Sequence, residues 1–414
     1  MIKIVFITLI CAPNICFAVT YDIMTLYQIH GDFETYNSYP LQRIGYDPNG
    51  RIWVVYHAYA AVTIDAKYSD NDGVTWNASF SGMGGNRNPS LAIKPSGYEV
   101  SIVGSDPAST TGPESNKFID PNWLDNVEVI DDTDPDQCAN DTPQILYTNS
   151  GDDVWCVWRH ASAGVISGYD TLEIAEKDGN AWAGDGGSKK TLNYAPGSIA
   201  AVMGTNQSGD DIAYVAWRAY DGIGNQYFIK SAYYHDTSGW SDVKTIDTIS
   251  DTYAFAVPYI SWIDNKPVVT YWSTGKGTHP SYYQGVYSEG TDAYTDANFS
   301  WSAPELMTDT NIHNSFFVPF KNIDDQLSVI YVGKGIHEDH VDINNLAYMY
   351  NDGSSWSEPT VITDDSSGLN ELSIAVDTNI VHILMRDANA QKYGGYVLKS
   401  TATPSLIQII KNIL

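Results

Sequence analysis

The sequence predicts an all-β chain folded as a β-propeller, and three observations carry that prediction. Tyr, Trp, Val, Ile and Thr are abundant, turn residues punctuate the chain at short intervals, and no long stretch has helical periodicity. An apolar strand with a polar turn before it recurs roughly every 50 to 60 residues. A Trp-led strand recurs at a fixed place within the same unit. One four-stranded sheet cannot bury both of its faces alone, whereas radially stacked copies can.

The elements follow in chain order. The opening "MIKIVFITLICAPNICFA" carries one lysine, a short apolar run and small residues before Val19. It reads as a secretory signal over residues 1–18, since the run is short for a membrane span. A secreted or periplasmic protein is expected, with a single propeller domain over 19–403 and a tail over 404–414. The recurring second strands are "RIWVVYHAY", "YEVSIVGSD", "DVWCVWRHA", "DIAYVAWRAY", "KPVVTYWST", "QLSVIYVGK" and "NIVHILMRD". Turns such as "DPNG", "KPSG" and "QSGDD" precede them, and before each turn lies an apolar first strand such as "PQILYT". The Trp-led fourth strands are "TWNASF", "NAWAGD", "SGWSDVKTI", "FSWSAPELM" and "SSWSEPTVI". Seven units result. The second is the least regular, around "NKFIDPNWLDNVEVI", and a six-bladed ring with that unit as an insertion is the alternative. The last unit lacks its own fourth strand, which the N-terminal "VTYDIMTLYQI" is expected to supply, closing the ring without an open edge.

Charge narrows the partners. The net charge is −28, with only 22 Lys plus Arg against 50 Asp plus Glu. Nucleic acid and anionic membranes are therefore poor partners for the bulk surface. No other segment is long and apolar enough to span a bilayer, and a monomer is expected. Cys138 and Cys156 remain after the signal is removed, and export permits a disulfide between them or two separate thiols.

"SDNDGVTW", residues 69–76, resembles the Asp-box of sialidases and related bacterial-neuraminidase-repeat propellers, with Asn71 where that family usually has Asp. "QRIGYDPNGRIWVVYHAY" is similar to the first sialidase blade: Arg43 and Ile44 fit its Arg-Ile-Pro, and Gly45 replaces the Pro. The mid-chain stretches "TPQILYTNSGDDVWCVWRHASAGVISGYDTLEIAEKDGNAW" and "DIAYVAWRAYDGIGNQYFIKSAYY" resemble propellers that include ulvan-type polysaccharide lyases. Some of those carry a His-Asn pair on an earlier blade; here "GNRNPS" puts Arg87 in place of the His.

In a propeller, first-strand starts and second-strand ends share one face around the central funnel, where ligands bind. Second-strand ends supply His57, Arg159, His160, Arg218, Trp272 and Arg386. First-strand starts supply Arg43, Arg87, Tyr253, His313, Asn314 and Glu371. The chain has six arginines, and all but Arg51 fall at these positions. Arginine offers a planar, permanently charged fork matched to carboxylate or sulfate. Any one of them could instead tie neighbouring blades through an ion pair; several on one face point to an anionic ligand.

The leading expectation is therefore a carbohydrate-active protein that binds and cleaves an anionic polysaccharide by β-elimination at a uronate. Arg218 or Arg159 would neutralise the uronate carboxylate, with Tyr253 and His160 as base and acid and His57 and His313 as substitutes. Trp272, Tyr253 and the pair Tyr282 and Tyr283 offer stacking platforms for sugar. A sialidase-like hydrolase could cast Arg43, Arg218, Arg386, Tyr253 and Glu371, although its acid has no match, since Asp65 falls in a third strand. A glycan-binding propeller without catalysis is the third reading. No cofactor is required. His337 and His340 have weakly specific metal spacing, and the acidic run 131–136 could offer oxygen ligands to calcium, although a solvated acidic loop explains it as simply.

Overall fold

The computed structural model describes residues 21–30 and, between 41 and 400, all but 59–62, 85–86, 106–111, 120–121, 124–126, 131–141, 161–170, 179–180, 183–188, 195, 207, 222–225, 250–256, 292–298, 335–343, 363–368, 378–379 and 388–391. The signal segment, the tail, Cys138, the acidic run 131–136, His337 and His340 lie outside the described residues. Cys156 is buried in the strand Val154–His160.

The regular structure among the described residues is all strand, arranged in seven antiparallel sheets. Sheet 1 runs Ile44–Tyr46, Ile52–Ala58, Thr63–Ser69 and Asn77–Gly84. Sheet 2 runs Arg87–Ile93, Glu99–Ser105, Glu114–Ile119 and Glu128–Val129, with Asn122–Trp123 also paired to its third strand. Sheet 3 begins Gln144–Tyr147, Val154–His160 and Thr171–Asp178, whose outer edge takes Ala181–Trp182 and Lys190–Leu192. Sheet 4 begins Ile199–Thr205, Asp211–Asp221 and Gln226–His235, whose outer edge takes Gly239–Trp240 and Lys244–Ile249. Sheet 5 runs Tyr259–Ile263, Lys266–Ser273, Gln284–Glu289 and Glu305–Leu306. Sheet 6 runs Asn314–Lys321, Leu327–Lys334, Asn344–Tyr350 and Thr360–Val361. Sheet 7 runs Leu369–Asp377, Ile380–Asp387 and Lys392–Ser400, and its fourth strand is Tyr21–His30, with Tyr21 opposite Ser400.

The same turn chemistry joins first to second strands. Asp47 Oδ1 accepts the N–H groups of Asn49 and Arg51 at 2.9 and 3.0 Å, and Asn206 Oδ1 accepts those of Ser208 and Asp210, both at 2.8 Å. Asn322 repeats it with Asp324 and Gln326. A short side-chain acceptor thus closes these three hairpins and fixes their register. In the Asp-box turn, Ser69 Oγ accepts the Gly73 N–H at 2.9 Å, and Asn71 Oδ1 accepts the Thr75 N–H at 2.9 Å. Asp72 (φ 54°) and Gly73 (φ 82°) both take the left-handed conformation that this tight turn needs.

Core side chains lie between successive sheets. Trp155, Val157 and Leu172 of sheet 3 pack on Ile199, Val215 and Trp217 of sheet 4. Ala216 and Ile229 of sheet 4 pack on Val269, Tyr271 and Val286 of sheet 5. The recurring tryptophans fasten the sheets that carry them to neighbouring sheets. Trp182 Nε1–H donates to Ser115 Oγ of sheet 2 at 2.8 Å, and Trp240 donates to the Lys190 carbonyl of sheet 3 at 3.1 Å. Trp301 donates to Ser231 Oγ of sheet 4 at 2.6 Å, and Trp356 lies edge-on to Tyr287 of sheet 5 at 5.4 Å. The irregular second unit has its tryptophan too: Trp123 sits 4.6 Å from Phe80 and 6.1 Å from Trp53 of sheet 1. Trp76 packs on a cluster shared by sheets 1 and 7.

The first strands of sheets 2 to 7, with Leu41 and Gln42 just ahead of sheet 1's first strand, line one cavity of about 540 Å³. Side chains bridge neighbouring first strands across it. Gln42 Nε2–H donates to the Ile374 carbonyl at 2.9 Å, Gln144 to Ile199 at 3.0 Å, and Ser261 Oγ–H to Pro319 at 2.8 Å.

Candidate functional site

The register decides which end of each sheet carries the charged residues. Each first strand starts beside the end of its second strand: Ile199 faces Trp217, Arg87 faces Ser105, and Asn370 faces Arg386. Arg43 immediately precedes Ile44, and its carbonyl accepts the Val55 N–H at 2.9 Å. Arg43, Arg87, Arg159, Arg218 and Arg386 therefore share this end of their sheets. Arg51 stands at the opposite end, where its Nε–H donates to Asp70 at 2.8 Å and its guanidinium covers Tyr68 at 4.5 Å.

Burial divides the residues that the sequence nominates. Arg43 (3 % exposed), His57 (4 %), Trp272 (5 %) and Asn314 (0 %) are enclosed between sheets and offer a ligand almost no surface. Second strands in stacked sheets are covered on both faces, so a strand-end position alone does not expose a side chain. Trp272 packs against Phe316 at 5.1 Å as core, which corrects its reading as a sugar platform. Asn314 opens the first strand of sheet 6, its amide donating to Thr310 Oγ1 at 3.1 Å. Arg87, Glu371 and Arg386 are placed in strands by their backbones, and Tyr253 lies outside the described residues.

Arg159, His160 and Arg218 are half-buried at second-strand ends, and alternation along the strand fixes their direction. Trp158 packs with Val103 of sheet 2, so His160 shares that side. His160 Nδ1 is 3.8 Å from Glu173 Oε2, and Glu173 also pairs with Lys189 at 3.4 Å. Arg159 follows Val157 on the side toward sheet 4. Arg218 follows Ala216 on the side of sheet 4 toward sheet 5. Its guanidinium lies 5.6 Å from the Tyr227 ring centroid. Tyr227 pairs directly with Tyr220, their rings 4.7 Å apart, and Tyr220 is 52 % exposed. These two strands run on beyond the first strand of the sheet, to Asp221 opposite Gln226. Gly197 makes the close passage beside Arg218 feasible: its N–H donates to the Arg218 carbonyl at 2.7 Å, and a Cβ there would meet that oxygen at 2.9 Å.

Across from that side of sheet 4 lies the 274–283 loop of sheet 5, at the same end. Lys276 Nζ reaches Asp247 of sheet 4 at 2.8 Å, and Tyr271 Oη–H donates to the same carboxylate at 2.7 Å. His279 Nδ1 is 3.1 Å from Asp309 Oδ1, and the His279 side chain is 41 % exposed. Asp309 also accepts the Thr278 N–H and Thr278 Oγ1–H, both at 2.9 Å. The Thr278 amide first, with His279 and the Thr278 hydroxyl, holds the Asp309 carboxyl below its ordinary pKa. Gly277, at φ 66°, lies against Asp309, where any Cβ would come within 2.6 Å of Oδ1. His313 is flanked by the rings of Tyr282 and Tyr283 at 5.1 and 4.8 Å, and its Nδ1 accepts the Tyr283 N–H at 3.2 Å. Burial first, then nearby Lys334, lowers the His313 pKa. His279 lies in the loop between second and third strands, and no local sequence pattern ties it to Asp309, which lies 30 residues further along the chain.

No protein-family model matches the sequence, and no curated protein matches it. Solved structures do match. The chain superposes on polysaccharide lyase Uly1 with a TM-score of 0.52 at 9 % identity, over 90 % of this chain and 92 % of that one. The fold is a β-propeller. The propeller also superposes on the α-L-arabinofuranosidase Arb93A from Fusarium graminearum, with a TM-score of 0.51 at 11 % identity, over 92 % of this chain and 99 % of that one. A looser match is Trypanosoma rangeli sialidase in complex with sialic acid, with a TM-score of 0.44 at 12 % identity, over 95 % of this propeller and 61 % of that chain.

Proposed function

We propose that this chain is a secreted, seven-bladed propeller, closed by its N-terminal strand, that binds an anionic polysaccharide and cleaves it by β-elimination at a uronate. The observation that carries this reading is Arg218. In a chain of net charge −28, a half-buried arginine stands at a second-strand end beside a tyrosine pair whose Tyr220 is exposed. That pairing suits a sugar ring with a carboxylate: the ring faces stack, and the guanidinium fork binds the anion. Two propellers of similar shape, a polysaccharide lyase and an arabinofuranosidase, act on carbohydrate by their names, which supports the same class here.

In the reaction, Arg218 neutralises the uronate carboxylate and makes the adjacent C–H more acidic. A histidine takes that proton. Two histidines at this end are held by carboxylates, His160 by Glu173 and His279 by Asp309. The test is to incubate the protein with ulvan, polygalacturonate and a sialoside. Absorbance of an unsaturated uronate is expected. Released sialic acid would replace this reading with a hydrolase, and binding without product would replace it with a lectin. Arg218→Ala is expected to weaken acidic-glycan binding and to abolish turnover; undiminished turnover removes Arg218 from the site.

A further inference from the structure

We propose that the uronate is deprotonated between the extended strand pair of sheet 4 and the 274–283 loop of sheet 5, with His279 as the catalytic base, Asp309 as its positioning residue and Tyr220 as the sugar platform. The inference rests on the β-elimination reading above and assigns its reacting groups.

Three observations join these residues. Alternation puts Arg218 and Tyr220 on the side of sheet 4 that packs on sheet 5. The loop carrying His279 is pinned to that side of sheet 4 by Lys276 at Asp247. Asp247 pairs with Ile229, which pairs with Arg218, so the anchor lies two strand spacings, roughly 10 Å, from Arg218. By contrast, His160 lies on the side of sheet 3 that faces sheet 2, away from Arg218. It is also less open, at 14 % side-chain exposure against 41 % for His279.

The tautomer follows from the contacts. Asp309 accepts from Nδ1–H, so the neutral imidazole keeps its lone pair on Nε2. Thr278 and Gly277 fix the carboxylate, so the imidazole is oriented before substrate arrives. Nε2 takes the proton from the carbon next to the uronate carboxylate. The electron pair forms the C4=C5 double bond as the C4–O bond breaks, and the imidazolium returns the proton to the departing oxygen. No electrons are gained or lost overall, and no oxidant or metal is needed.

The experiment compares wild type, His279→Gln, Asp309→Asn and Tyr220→Ala on ulvan and polygalacturonate, with His235→Gln at the opposite end as an unchanged control. Near-ultraviolet circular dichroism verifies the fold of each variant. His279→Gln should lower kcat about 100-fold or more. Asp309→Asn should lower kcat at unchanged KM, a split that mere destabilisation of the loop would not give. Tyr220→Ala should raise KM more than it lowers kcat. The 15N resonance of His279 Nε2 should shift on adding an oligouronate. If wild type makes unsaturated product and His279→Gln does so at the same kcat, this inference is wrong while the elimination reading stands. If wild type makes no product and the His279 resonance does not move, both fall together.

Discussion

His382 is fully buried in the strand Ile380–Asp387, its ring edge-on to Tyr46 at 5.3 Å, and neither ring nitrogen has a hydrogen-bond partner among the described residues. Burial lowers its pKa from 6.5 to about 4. Between those two values the unfolded chain binds a proton that the folded chain refuses, so folding weakens as pH falls through this window. The contribution is fully present above pH 6.5 and costs about 2 kcal/mol between pH 7 and pH 5. Urea titrations at the two pH values measure it. His382→Phe, which keeps a ring against Tyr46, should show a smaller loss than wild type by about that amount. Equal losses in the two proteins would mean that the imidazole is protonated in the fold. The residue scale also shows what the sequence concealed. Arg43, His57 and Trp272 were legible as strand-end residues, but stacking of the sheets encloses them, and enclosure depends on the neighbouring sheet rather than on the local sequence. His279 and Asp309 meet only because two separate connections converge, so no local pattern announces the pair.

Among the elements, the repeat was the most legible feature, because its signals are local. Turn acceptors such as Asp47 and Asn206 act within four residues, and strand alternation has a period of two. The second unit was obscure in sequence for a physical reason. The sequence before Trp123, "IDPN", lacks the Asp-box pattern, yet Trp123 fills the position between sheets that Trp182 and Trp301 fill elsewhere. Contact between neighbouring elements leaves little slack. A Cβ added at Gly204 of sheet 4 would come within 2.4 Å of the Trp262 ring of sheet 5. Gly204→Ala should therefore cost about 1–3 kcal/mol through displacement of that indole. Calorimetry gives the answer, and an unchanged Tm would show that the two first strands can part without penalty.

For the whole molecule, the seam between sheets 1 and 7 differs from every other junction. Among the described residues, Tyr21–His30 is the one fourth strand that comes from the far end of the chain, and it covers the edge of Lys392–Ser400. Removing residues 1–30 should leave that edge unpaired and turn the protein into an aggregating species by size-exclusion chromatography. A soluble monomer with an unchanged Tm would show that the strand is dispensable. The tryptophans of sheets 3 to 5 each bond back to the preceding sheet, so a chain emerging from the ribosome can lock every new unit onto the one already made. The seam obeys no such schedule. Its outer strand precedes the other described strands in the chain and pairs with the last of them, so it waits for its partner while the sheets between are made. A chaperone that shields this one strand during synthesis would govern the yield of the whole molecule.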